Sequence, residues 1–238
     1  MYTAAWSPNG TWIASAGNGS TVQIWAASSK KLLFSYDGGS SIVYSVAWSP
    51  DSRYVASAHS NGTVQVWDVA SGKLLLTYSG HLHYVNAVAW SHDGTRIVSG
   101  GGDATAHVWD PSNGNRLTTY GGHTDDILAL SWSPSDARIV SASKDTTAQV
   151  WAASTASRSL SYTGHANYVN TVAWSPDGTR IASGGVDTTV KVWGAANGNT
   201  FQTYSGHSDQ VQSVAWLYDS TRIASASNDG TVQIWQAT

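Results

Sequence analysis

The stretch TGHANYVNTVAWSPDGTRIASGGVDTTVKVW, Thr163 to Trp193, decides how this chain reads. A version of it recurs six times at one unvarying spacing. Its first Trp falls at Trp6, Trp48, Trp90, Trp132, Trp174 and Trp216. Its second falls at Trp25, Trp67, Trp109, Trp151, Trp193 and Trp235. Both series step by 42 residues without insertion or deletion. A fixed period of this length marks an array of equivalent supersecondary units, none able to bury its apolar face alone.

Working outward, each unit reads as short strands joined by turns. Val85 to Trp90 is an apolar run rich in β-formers. A turn such as Pro176-Asp177-Gly178 follows, with Asp and Gly supplying backbone bonding and positive φ. Arg180 to Ser183 makes a second strand, and Gly184-Gly185-Val186-Asp187 leads into a third, Thr189 to Trp193. A Ser/Asn/Gly segment then reaches a fourth, as in Leu74 to Tyr78. Nothing has the 3.6-residue period of an amphipathic helix. All fifteen acidic residues are Asp, which suits turns, and none is the helix former Glu.

Composition narrows the function classes. The 238 residues carry a net charge of −3 with 11% charged side chains, so there is no basic footprint for nucleic acid. The absence of Cys excludes disulfides, thiolate metal sites and a cysteine nucleophile. No signal-like or long apolar segment appears, so no membrane association is expected and a cytoplasmic location is.

Period, Gly-His pairs and Trp position together make the unit resemble the WD40 repeat over the whole chain. Only Trp67-Asp68 and Trp109-Asp110 keep the literal Trp-Asp pair. The resemblance implies an all-β, six-bladed β-propeller of four-stranded antiparallel blades. One domain is expected over 1–238, with repeats 1–42, 43–84, 85–126, 127–168, 169–210 and an incomplete 211–238. Met1 aligns with Val43 at the start of a first strand, and Thr238 aligns with Ala70, just past a third. The last blade therefore lacks its outer strand, the piece corresponding to Ser71 through Tyr84. Its third strand, around Thr231 to Trp235, should be unpaired and open to another strand. A truncated array, an engineered one, closure by a partner chain and a homo-oligomer through that edge are all compatible with this. The near-identical repeats resemble recently amplified bacterial arrays.

His, Ser, Asp and Trp recur together as His81, Ser99, Asp103, Trp109; His123, Ser141, Asp145, Trp151; His165, Ser183, Asp187, Trp193; and His207, Ser225, Asp229, Trp235. A catalytic triad needs one accessible nucleophile beside an oxyanion site, whereas four copies at one spacing point to a structural part copied with the fold. The resemblance implies a buried chain from Trp N–H through Ser and His to Asp. No catalytic residue, metal site or cofactor is expected. In the second unit Gly39 stands at the His position and Asn61 at the Asp position, while the first has Gly19 and no upstream Gly-His. Those units are expected to be the soft end. The remaining His59, His83, His92 and His107 read as exposed loop residues. Trp12 and Tyr54 replace the Arg at Arg96, Arg138, Arg180 and Arg222, through local packing or as an exposed aromatic pair.

Against this constant background, loops at one end of the units vary. The residue before the first strand is Ile42, Tyr84, Asp126, Tyr168 or Gln210, and Lys144 precedes a network Asp. In proteins of the resembling family that face receives a peptide or protein partner. The candidate contact set is Tyr84, Asp126, Lys144, Tyr168 and Gln210, and neutral loop variation explains the same pattern. The favoured function is a non-catalytic interaction scaffold; the alternative is a repeat-array fragment that assembles through its open edge.

Overall fold

The computed structural model describes residues 2–39 and 41–237. The expected strand start at Met1 and the alignment point Thr238 lie outside these residues. The chain forms two compact units, Met1–Thr119 and Tyr120–Thr238. Among the described residues every regular element is a strand. Nor do the described residues include a helix long and apolar enough to cross a membrane.

The first unit holds three antiparallel sheets in simple sequence order. The first comprises Thr3–Trp6, Trp12–Ala16, Thr21–Ala26 and Leu32–Asp37. The second comprises Val43–Trp48, Tyr54–His59, Val64–Asp68 and Leu74–Tyr78. The third comprises Val85–Trp90, Ile97–Gly101, Ala106–Trp109 and Arg116–Tyr120, whose last residue falls in the second unit.

The second unit repeats the plan. Its fourth sheet comprises Ile127–Trp132, Arg138–Ser143, Ala148–Ala152 and Arg158–Tyr162. The fifth comprises Val169–Trp174, Arg180–Gly185, Val190–Gly194 and Thr200–Tyr204. The sixth has three strands, Val211–Trp216, Arg222–Ser227 and Val232–Gln236, and so lacks the outer strand. The six-bladed, all-β organisation read from the period is present, with the shortened last blade.

Local chemistry explains the strand ends. After the first strands of the second, third and fifth sheets a Ser-x-Asp turn reverses the chain. In the third sheet Ser91 donates to Asp93 Oδ1 at 2.6 Å, and that oxygen also accepts from the Thr95 backbone at 2.9 Å. Strands covered on both faces alternate little in burial: Val190, Val192 and Trp193 are all fully buried. Within each unit the first strands of neighbouring sheets lie side by side. Trp48 Nε1 donates to the Ala5 carbonyl at 3.0 Å, and Trp216 Nε1 to the Ala173 carbonyl at 3.1 Å, tying one sheet to the one before.

Candidate functional site

The recurring His, Ser, Asp and Trp meet in four hydrogen-bonded chains. In the fifth sheet Trp193 Nε1 donates to Ser183 Oγ at 3.0 Å, and Ser183 Oγ lies 2.8 Å from His165 Nε2. His165 Nδ1 lies 2.9 Å from Asp187 Oδ2. The carboxylate only accepts, so Nδ1–H donates to it and Nε2 accepts the Ser183 hydroxyl proton. Asp187 also accepts from the Ala166 backbone at 3.0 Å and the Thr189 hydroxyl at 2.9 Å, closing the loop before the first strand onto the turn between strands two and three. The same chain links Trp109, Ser99, His81 and Asp103; Trp151, Ser141, His123 and Asp145; and Trp235, Ser225, His207 and Asp229.

Electrostatics fit this arrangement. Burial pushes the Asp103, Asp145 and Asp187 carboxyls up, but hydrogen bonds from His, Thr and backbone donors outweigh it and hold them well below the usual range. The serine hydroxyls are buried, with both the Trp N–H and the imidazole already on them. A nucleophile needs an accessible oxygen beside donors for the developing charge. These oxygens are enclosed.

The second sheet departs from expectation. His59 is completely buried, not an exposed loop residue. Its Nε2 lies 2.8 Å from Ser57 Oγ, which receives Trp67 Nε1 at 3.1 Å, and its Nδ1 lies 3.1 Å from Ser41 Oγ. A side-chain carbon at Gly38 would collide with this ring. His59 thus fills from the strand end the space that an upstream His fills elsewhere. The first sheet has no such substitute, and its chain stops at Trp25 Nε1 to Ser15 Oγ, 2.8 Å. Of the first two sheets, the first is the one without a histidine on its network serine.

His107 is buried too, while His83 and His92 are exposed. It stacks on His81 at 4.0 Å and 10°. Its Nδ1 faces the Tyr78 hydroxyl at 2.9 Å and its Nε2 the Thr105 hydroxyl at 3.2 Å. Among the described residues His81, Asp103 and His107 form the one cluster of metal-ligand type. Every imidazole nitrogen in it already has a hydrogen-bond partner, so the donor set fits a closed network and not a cation. Burial, then the neighbouring His81, hold the His107 pKa down at about 4; burial alone does the same for His59, also to about 4.

At the opposite end of the sheets, Trp12 and Tyr54 prove to be packing residues. Trp12 stacks on Trp48 at 6.0 Å and Tyr54 on Trp90 at 6.4 Å. Arg138 covers Trp174 at 4.8 Å and Arg180 covers Trp216 at 5.0 Å from the same position. Arg180 also donates to the Ala237 carbonyl at 3.0 Å, which makes it a structural residue. Beside Tyr54 and Trp90 lies a hollow of about 500 Å³ with Leu75, Leu76 and Pro111 in its wall.

The variable-loop residues are not all alike. Asp126 and Lys144 are paired at 2.6 Å, with Asp126 buried, so neither is a free charge. Asp125 beside them is exposed. Tyr168 is 43% exposed, its carbonyl taking the Val186 N–H at 2.9 Å. Gln210 is half-buried and its carbonyl takes the Asn228 N–H at 3.0 Å. Tyr84, half-buried, meets the Tyr44 ring edge-on at 6.2 Å, and Tyr44 meets Tyr2 at 6.0 Å. Sequence reading missed Tyr2 and Tyr44. The signal was there, since their position holds Asn86, Leu128, Asn170 and Gln212 in the other repeats.

Antiparallel sheets in chain order, packed on their neighbours through the first strands and tied at two joints by the Nε1 of Trp48 and of Trp216, define a repeat-built protein of β-propeller type. The family model for the WD domain, G-beta repeat, matches residues 1–26, 30–68, 72–110, 114–152, 157–194 and 198–236, and the chain belongs to the WD40 repeat family. A search of curated proteins returned no match. WD40 repeats generally mediate protein interactions and scaffolding, and proteins built from them are typically non-catalytic.

Proposed function

We propose that this protein is a non-catalytic, cytoplasmic interaction scaffold of one domain, and that it takes a peptide or protein segment on the loops at the His–Asp end of its sheets. The observation that carries the reading is the aromatic run Tyr2, Tyr44 and Tyr84 in the first unit, with Tyr2 60% exposed. Tyrosine offers large contact area at low entropic cost and dominates binding hot spots. Tyr168 and Gln210 are the corresponding contacts in the second unit. The Asp126–Lys144 pair shapes its loop there, leaving Asp125 to favour Lys or Arg in the ligand. The four His–Ser–Asp–Trp chains hold these loops and do no chemistry.

A displayed library of random peptides tests this. Wild-type protein should enrich a common motif, and Tyr44→Ala with Tyr84→Ala should lose that enrichment at unchanged melting temperature. Leu75→Ala, at the opposite-end hollow and 53% exposed, should keep it. Enrichment lost only with Leu75→Ala moves the site to the other end. A calorimetric scan with two separate transitions would contradict the single domain.

A further inference from the structure

Within each compact unit the joint between neighbouring sheets is built one way. Ala182, Val190 and Val192 of the fifth sheet pack against Val211, Val214, Ile223 and Trp235 of the sixth. Ala14, Ala16, Val22 and Ile24 of the first pack against Val43, Val46, Val55 and Trp67 of the second. Each sheet therefore has two different apolar faces. A leading face carries small and β-branched residues on strands two and three, and a trailing face carries Val, Ile and the second Trp. Leading always meets trailing.

The leading face of the sixth sheet and the trailing face of the first carry exposed apolar residues. On the sixth sheet Val232 and Ile234 occupy the positions of Val190 and Val192, yet each is 69% exposed while those two are fully buried. On the first sheet Trp6 is 62% exposed, and Ile13 and Trp25 are only half-buried, whereas Ile223 at the position of Ile13 is fully buried. A hollow of about 400 Å³ lies on this face, with Ala4, Ile13, Gln23 and Trp25 in its wall and no ionisable residue. Tyrosines stack on Trp67, Trp109, Trp151, Trp193 and Trp235, and none stacks on Trp25 among the described residues. Contiguous exposed apolar surface of this kind marks an interaction site.

We propose that the two faces are the halves of one further joint, made between two copies of this chain. The sixth sheet of one copy lays Val232 and Ile234 into the hollow over Ile13 and Trp25 of the next. The occupant follows from complementarity. The leading face of the sixth sheet carries Val232 and Ile234 where the leading faces of the first and fifth sheets carry Val22 and Ile24 or Val190 and Val192, which pack on trailing faces, and the hollow holds no charge whose dehydration would oppose docking. Sixth against sixth would put two leading faces together, a pairing found nowhere inside either unit. Strand pairing at the open edge of Val232–Gln236 would use backbone groups and leave Trp6 in water. A leading-to-trailing contact is heterologous, so it continues from copy to copy until a ring closes or a filament grows. The proposal is independent of the peptide-binding reading.

Sedimentation of the full chain over a wide concentration range should show mass rising above the single chain's 25.1 kDa. Trp6→Lys and Ile234→Lys change residues already in water, so both should fold, and circular dichroism checks this; Trp6→Gln and Ile234→Gln serve if either lysine variant melts early. Each variant alone should weaken association by about tenfold or more. Mixed, they should form a one-to-one pair that grows no further, because each supplies the face the other lacks. Wild-type protein that stays a single chain throughout would overturn the proposal. So would a Trp6→Lys chain that associates like wild type, the mark of edge pairing, or a mixture that remains single chains.

Discussion

His59 stands where the other repeats have Gly17, Gly101, Gly185, Ser143 or Ser227, and it makes the second sheet sensitive to acid. Burial lowers its pKa from 6.5 to about 4. Between those values the unfolded chain binds a proton that the folded chain refuses. Its contribution is therefore complete above about pH 6.5 and is lost as pH falls toward about 4, by at most about 3 kcal/mol. His107 follows the same window. The network aspartates act lower: held below 3.8, they contribute above that value and fade as pH falls beneath it. His59→Gln should lose about 1–3 kcal/mol of the stability difference between pH 7 and pH 4.5, measured by denaturant unfolding at both. An unchanged difference would place the acid sensitivity elsewhere. Asp187→Ala should cost about 1–3 kcal/mol by leaving a buried imidazole N–H unmatched. Asn61→Ala should cost less, because Asn61 holds only Thr63, at an exposed turn. The recurrence of His, Ser, Asp and Trp at fixed offsets was legible in the sequence, while the chain that joins them was implied by the resemblance to the WD40 repeat. His59 and His107 were not, since a single His at a strand end does not reveal which way its ring turns.

At the scale of the element, strands were legible because hydrophobic runs and turn residues share one period. Turn strain was hidden. Thr188, between the second and third strands of the fifth sheet, has φ 65°, and Gly62 and Gly230 occupy its position in other repeats at 84° and 81°. A β-branched residue in the left-handed region is strained, because its Cβ crowds the backbone. The repeat tolerates it through the surrounding ladder, including the Thr188 N–H bond to the Gly185 carbonyl at 3.2 Å. Thr188→Gly should therefore raise stability by about 1 kcal/mol, seen as a higher urea midpoint at constant slope. The reverse change, Gly62→Thr, should cost more than that. A Cβ there would lie 3.0 Å from the His83 carbonyl oxygen and 3.1 Å from that of His81. A destabilised Thr188→Gly would mean that the hydroxyl or methyl makes a compensating contact.

For the whole molecule, the sequence showed the missing outer strand but not the uncovered faces, because the terminal sheets use the residue types of the interior ones. Burial separates them, and it sets an order of local stability. In the first unit, the first sheet lacks a network His and leaves Trp6 in water, while Ile97 and Trp109 of the third sheet are fully buried. In the second unit, Ile181 and Trp193 of the fifth sheet are fully buried, while the sixth keeps its network but exposes Val232 and Ile234. Repeat proteins take stability from intrinsic and nearest-neighbour terms, so a sheet missing either opens first. Amide exchange should be fastest in Thr3–Trp6 and Trp12–Ala16, next in Val232–Gln236, and slowest in Ile97–Gly101 and Arg180–Gly185. Raising protein concentration should slow the first two groups together if the two faces join between copies, and leave the slow strands unchanged. Exchange that is uniform across all six sheets would mean that opening is global and that neither the missing network nor the uncovered faces weaken the ends.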